Sequence, residues 1–360
     1  MVGRYHIDPD RKILKVHEWP ERDRVIWEEA LQQDDPFAEE GSRTEYRQIS
    51  NDKVAKGHGR FLTFIQRYHP EMFASEPQDR ISDSLIKEYV EHLRSLGNSD
   101  QTIMDRLQEI FSSHEVLAPK TSLTFIRRIE ARIRACAKPA REKRGRLVPT
   151  DELVSLGRKL METANGLSTA RLRAIQYRDG LLIVFAALRP WRRKNLAEMR
   201  LHKNLIKKGT TWLLVLSKEE TKTYSRDERL WPEEFIENLE IYLTIHRPVL
   251  MSQSGRWTAP IDDHLWVSSE SSPQTQMSIY QQITKRTKEE FGISINPHLF
   301  RDAAATTIAM EDPTHVRIGT RVLNHKSART TEKYYQQAEQ HRAHSDLIAF
   351  IKKLRGSTLA

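Results

Sequence analysis

Residues 138–146 read Lys-Pro-Ala-Arg-Glu-Lys-Arg-Gly-Arg, with two structure breakers, five basic side chains and Ala140 as the one apolar side chain. Neither a helix nor a strand could bury a face here, so the stretch has the composition of a linker. In a chain of 360 residues, longer than one ordinary compact domain, this is where two hydrophobic cores should part. The basic stretch is either simply solvated or lies along a polyanion.

On the N-terminal side, residues 1–44 alternate charged, aromatic and Pro residues without a sustained period and read as an arm or loosely structured lead-in. From residue 45 to 137 the pattern changes. Phe61, Phe64, Ile65 and Tyr68 recur at three and four, as do Ile86, Tyr89, Val90 and Leu93, the second set preceded by Ser82 or Asp83 as cap and followed by Gly97. Two further patterns, Ile103 to Phe111 and Leu123 to Ile133, complete an expected bundle of about four helices.

The second domain is expected over 147–360. The apolar run 181–188 is hydrophobic on every side, as a buried helix is. Residues 212–217, Trp-Leu-Leu-Val-Leu-Ser, read as a strand, followed by a polar turn and a return strand at Leu230-Trp231 that ends at Pro232. Phe235, Leu239, Tyr242 and Leu243 then predict a helix, and Leu347, Ile348, Phe350, Ile351 and Leu354 form an apolar stripe on a C-terminal one. The expected fold is mainly α with a small β-hairpin or sheet.

Composition narrows the partner. Lys and Arg outnumber Asp and Glu by 58 to 49, a balance of +9 that suits a polyanion, while seven Trp, eleven Phe and ten Tyr supply cores for folded domains. Cys136 stands alone, which excludes a disulfide framework and a Cys-based metal site. No run is long enough to span a bilayer and the N-terminus has no signal-peptide core, so the expected setting is cytoplasmic, on the nucleoid.

Three segments carry chemistry together. They are Pro190-Trp191-Arg192-Arg193-Lys194-Asn195-Leu196-Ala197-Glu198-Met199, then His298-Leu299-Phe300-Arg301, then Leu323-Asn324-His325 with Tyr334-Tyr335 beginning nine residues after the His. In order and spacing they resemble the tyrosine recombinase, or phage integrase, family. That family has an Arg with apolar positions four and seven residues on, a His-x-x-Arg, and a Leu-Gly-His with the nucleophilic Tyr nine residues later. Aligning the first box on Leu196 and Met199 places its Arg at Arg192 rather than Arg189 or Arg193. Residues 147–340 resemble the family through these motifs, and 45–135 resemble its helical core-binding domain by position and pattern.

The resemblance implies a site-specific recombinase that cuts and rejoins double-stranded DNA through a 3′-phosphotyrosyl intermediate, self-associating on DNA as a tetramer. Arg192 and Arg301 would hold the non-bridging oxygens of the phosphate, because a guanidinium offers a bidentate fork and never loses its charge. A Tyr hydroxyl has an unperturbed pKa of about 10 and needs a proton acceptor. His298 would be that base, although it could instead be a structural residue at a helix start, and His325 would hydrogen-bond the phosphate. The family supplies the leaving 5′-oxygen with a proton from a hairpin Lys, here Lys222 or its competitor Lys218. Tyr334 would be the nucleophile. No nucleotide cofactor and no metal is implied, since the two Arg residues supply the positive charge and the Tyr replaces an activated water. The family's C-terminal helix often docks on a neighbouring protomer; docking on its own domain is the alternative for this chain.

Two positions depart from the family pattern. Asn195 stands where an acid is usual, and Asn324 replaces the Gly of Leu-Gly-His, a mild change because Asn tolerates positive φ next best after Gly. Two other functions fit parts of the pattern: a non-catalytic DNA-binding relative, against which the complete residue set argues, and a strand-swivelling topoisomerase, which would relax supercoils without a specific site.

Overall fold

A computed structural model describes residues 8–32, 43–44, 46–137, 146–252 and 263–311. The chain divides into two compact units, Met1–Glu142 and Lys143–Ala360.

The first unit contains helices α1 (Glu21–Gln32), α2 (Gln48–Tyr68), α3 (Asp83–Ser95), α4 (Asp100–Leu117) and α5 (Thr124–Cys136). Helix α3 begins where the Ser82 hydroxyl accepts from the Leu85 N–H, and the chain leaves it through Gly97 at φ 74°. Most periodic residues of α2 to α5, among them Phe61, Ile65, Ile86, Tyr89, Ile103, Leu107 and Ile126, bury together in one core, whereas Tyr68 at the end of α2 is exposed.

The lead-in expected before residue 45 is corrected over residues 8–32. Leu14, Trp19, Trp27 and Ala30 are buried in a second cluster with Val54, Leu62, Val116 and Leu117. The sequence hides this because the segment packs through two 3-10 turns and one short helix, so its anchors never fall into a sustained period. Gly59 allows the approach: a Cβ there would stand 2.1 Å from the Leu14 carbonyl oxygen. Asp23 of α1 is fully buried, bonded to His58 at 2.8 Å and to the buried Arg80 guanidinium. A carboxylate can be held in such a place only when it is paired.

The second unit starts with α6 (Thr150–Thr163) and α7 (Ala170–Leu188). They pack backbone to backbone where Gly157 faces Gly180, since a Cβ on Gly180 would lie 2.6 Å from the Gly157 carbonyl oxygen. Helix α7 is buried without a break from Tyr177 to Ala187, as its all-round hydrophobicity predicts.

A short helix α8 (Arg193–Ala197) leads into a three-stranded antiparallel sheet of order β1-β2-β3: β1 (Leu205–Lys208), β2 (Thr211–Leu216) and β3 (Asp227–Leu230). Trp212, Leu214 and Leu216 of β2 face the core in strict alternation. The return strand pairs Leu213 with Leu230 and Leu216 with Asp227, so it ends before Trp231. Strand β1 was not among the expected elements, because Leu-Ile-Lys-Lys is too short and polar to announce itself; its pairing with β2 makes it a strand. Among the described residues, helices α9 (Ile236–Ile241), α10 (Arg247–Met251), α11 (Gln276–Phe291) and α12 (Pro297–Glu311) follow.

Candidate active site

The local sequence around Arg192 builds its position. Trp191 is buried against the Phe185 ring, while Leu196 and Met199, four and seven residues beyond Arg192, are inaccessible to solvent. These anchors fix the turn between α7 and α8 and leave Arg192, the residue preceding α8, half-buried with an extended ψ of 144°. Burial lowers the Arg192 pKa from its ordinary value. A guanidinium has so high a pKa that it remains protonated at neutral pH.

His298 and Arg301 lie one turn apart on α12. That helix is started by Asn296, whose Oδ1 accepts from the His298 N–H at 2.9 Å and the Leu299 N–H at 3.2 Å, with Pro297 in the first turn. The cap is therefore the Asn296 side chain, and the His298 side chain is exposed. Arg301 is buried, with 7% exposure, and its Nη1 donates to the Pro190 carbonyl.

Arg192, His298 and Arg301 line one cleft of about 330 Å³, together with Arg193, Tyr280, Asn296 and Pro297. Arg193 stands over the Tyr280 ring with its guanidinium carbon 5.7 Å from the ring centre. Arg189, just before the first box, is committed elsewhere: it donates to the Leu230 carbonyl from Nε and Nη2 at 3.1 and 3.0 Å and to the Leu188 carbonyl at 3.0 Å. The cleft thus holds three guanidinium groups and an imidazole, an arrangement suited to a phosphate ester.

Lys222 and Lys218 are both exposed in the connection between β2 and β3. Thr221 closes a small loop around Lys222: its Oγ1 lies 2.8 Å from the Ser225 carbonyl oxygen and accepts from the Ser225 N–H at 3.1 Å. His325 and Tyr334, with Asn324, Tyr335 and the C-terminal apolar stripe, lie outside the described residues. The cleft residues Tyr280 and Asn296 were not singled out from the sequence, and Arg193 entered only as an alternative to Arg192. For Asn296 the signal was available, since Asn-Pro before an apolar period is a helix start.

The profile of the phage integrase family matches residues 157–341, more than half of the chain and all three motif boxes. The chain belongs to the phage integrase family. It is a tyrosine-type site-specific recombinase, mainly helical with a small antiparallel sheet. Among solved structures, this integrase is similar to the XerH site-specific recombinase bound to difH substrate, with a TM-score of 0.53 and 16% identity over 82% of this chain and 79% of that one. It is similar also to the Tn1549 transposon integrase in complex with transposon right end DNA, with a TM-score of 0.54 and 13% identity over 90% of this chain and 98% of that one. At such identities the likeness is one of fold. Comparison with curated protein sequences finds no match. Among the described residues, no helix is long and apolar enough to cross a membrane.

Proposed function

We propose that this integrase binds double-stranded DNA and breaks and rejoins it through a covalent 3′-phosphotyrosyl intermediate. The observation that carries the reading is the cleft in which Arg192, from the turn before α8, meets His298 and Arg301, from α12. Two charged forks and an imidazole suit an attacked phosphodiester, because negative charge grows on its non-bridging oxygens while a proton leaves the nucleophile.

In this reading the Tyr334 hydroxyl attacks the phosphorus and gives its proton to His298. The bond from phosphorus to the 5′-oxygen breaks, and that oxygen takes a proton from Lys222, with Lys218 as the competing donor. His325 hydrogen-bonds the phosphate. The new phosphotyrosyl ester conserves the energy of the broken bond, so a second 5′-hydroxyl can reverse the reaction and join a different strand. Self-association on DNA, expected as a tetramer, brings the second strand. The complexes of the structural relatives, XerH with difH substrate and the Tn1549 integrase with transposon right end DNA, support DNA as the substrate, and the second supports a mobile-element role.

The decisive test concerns Tyr334 and its neighbour. The nine-residue spacing from His325 selects Tyr334 of the adjacent pair. Covalent trapping on genomic DNA would recover the sites used, and a nicked duplex carrying such a site would then capture the adduct. Tyr334→Phe should bind the duplex and give no adduct, whereas Tyr335→Phe should still give one. Mass spectrometry placing the nucleotide on Tyr335, or on no tyrosine, refutes the assignment.

A further inference from the structure

Asn195, where the family usually has an acid, is bonded in a way that an ionised acid could not be. It lies on α8, three residues after Arg192, and is 8% exposed. Its Nδ2 donates to the backbone carbonyl of Glu220 at 3.1 Å. Glu220 precedes Lys222 by two residues and follows Lys218 by two. One hydrogen bond therefore ties the helix that follows the cleft arginine to the turn that carries both candidate acids.

The turn end of this bond is itself secured. The Glu220 carboxylate accepts from the Ser217 N–H at 2.9 Å and from Asn204 Nδ2 at 3.2 Å, and pairs with Lys203 at 2.8 Å. Asn204 is 1% exposed; its Nδ2 also reaches the Val215 carbonyl at 3.0 Å and its Oδ1 accepts from the Arg200 N–H at 3.1 Å. With Glu220 clamped on the β-sheet side, the Asn195 amide is a polar link from that turn to α8.

The polarity of the link matters. A carbonyl oxygen accepts and never donates, so the group facing it must carry a hydrogen. An Asp carboxylate at position 195 would bring a negative oxygen against the Glu220 carbonyl in a nearly buried place, and the two would part.

We propose that Asn195 is a positioning residue that sets the lysine-bearing turn against the arginine-bearing helix, and that in this chain the family's usual acid at that position would impair leaving-group protonation. The inference rests on the proposed function and on a lysine of this turn acting as the acid.

The test compares Asn195→Asp and Asn195→Ala with Lys222→Ala and Lys218→Ala on a nicked duplex whose scissile 5′-bridging atom is oxygen or sulfur. Sulfur departs without a proton, so a defect confined to protonation disappears on that substrate. Both Asn195 variants should bind the duplex normally, cleave the oxygen substrate about 10- to 100-fold more slowly, as small misplacements of a reacting group do, and regain most of the rate on sulfur. Asn195→Ala removes the donor without adding a charge and carries the test if Asn195→Asp fails to fold. A wild-type rate for Asn195→Asp on oxygen overturns the inference. So does an equal loss on both substrates while a lysine variant is rescued, and in that case the proposed function stands. No adduct from the unaltered protein on either substrate overturns both.

Discussion

The guanidinium of Arg301 donates to the carbonyl of Pro190, two residues before Arg192. One cleft arginine thus holds the turn that presents the other, and the two should respond differently to truncation.

Arg192→Ala removes a charge from the cleft wall and, among the described residues, no side-chain hydrogen bond or ion pair. Adduct formation should fall by about 10²–10³, the usual worth of a charge stabiliser, with the thermal unfolding temperature unchanged. Arg301→Ala should lose at least as much activity and in addition about 1–3 kcal/mol of stability, because the buried Pro190 carbonyl loses a charged donor. Urea unfolding of both variants beside adduct assays separates the effects. Equal stability of the two would show that the Arg301 bond to Pro190 does not support the turn.

Lys222→Ala should bind DNA almost normally and cleave slowly, with most of the rate restored on the sulfur-bridged substrate. If Lys218→Ala is the variant rescued, the acid is Lys218. Rescue of neither assigns the proton donor to another group.

DNA affinity should depend steeply on salt, because the +9 balance and the basic stretch 138–146 point to phosphate contacts. Neutralising on the order of 6 phosphates predicts a roughly 10³-fold weaker affinity at 200 mM salt than at 50 mM. Titration of a labelled duplex at several salt concentrations measures the slope, and a flat response would count against phosphate-led binding.

The first unit should lose stability in mild acid. His114 is buried with 1% exposure, its Nδ1 is 3.0 Å from the Ile110 carbonyl oxygen, and burial pushes its pKa down to about 3. The unfolded chain takes up a proton near pH 6.5 and the folded one does not until about 3, so below 6.5 the unfolded state binds more protons. Stability is full above 6.5 and declines as pH falls through that window, by up to about 1.4 kcal/mol per pH unit from this residue. Denaturant unfolding of His114→Asn between pH 6.5 and 4 should show a shallower decline than the unaltered protein. An identical slope would mean that His114 contributes nothing to it.

Much of this protein is determined by sequence that acts locally. Helix periods depend on neighbours three and four residues away, so α2 to α5 and the buried α7 are legible before any packing is known. Residue chemistry is equally local: guanidinium, imidazole, amine and phenol groups suit an attacked phosphate, and Arg192, His298 and Arg301, far apart in sequence, line one cleft. The tertiary structure decided which partner each group meets. Arg189 and Arg192 are three residues apart, yet packing brings the Leu230 carbonyl to Arg189 and leaves Arg192 on the cleft. Trp19 and Trp27 have no periodic signal, yet they bury against α2 and α4 because aromatic area can be covered from any direction. Asn195 reads as a departure from a pattern until the Glu220 carbonyl is seen in front of it. A hydrogen bond needs a partner within about 3 Å, and which carbonyl arrives there is set by contacts far away in the chain.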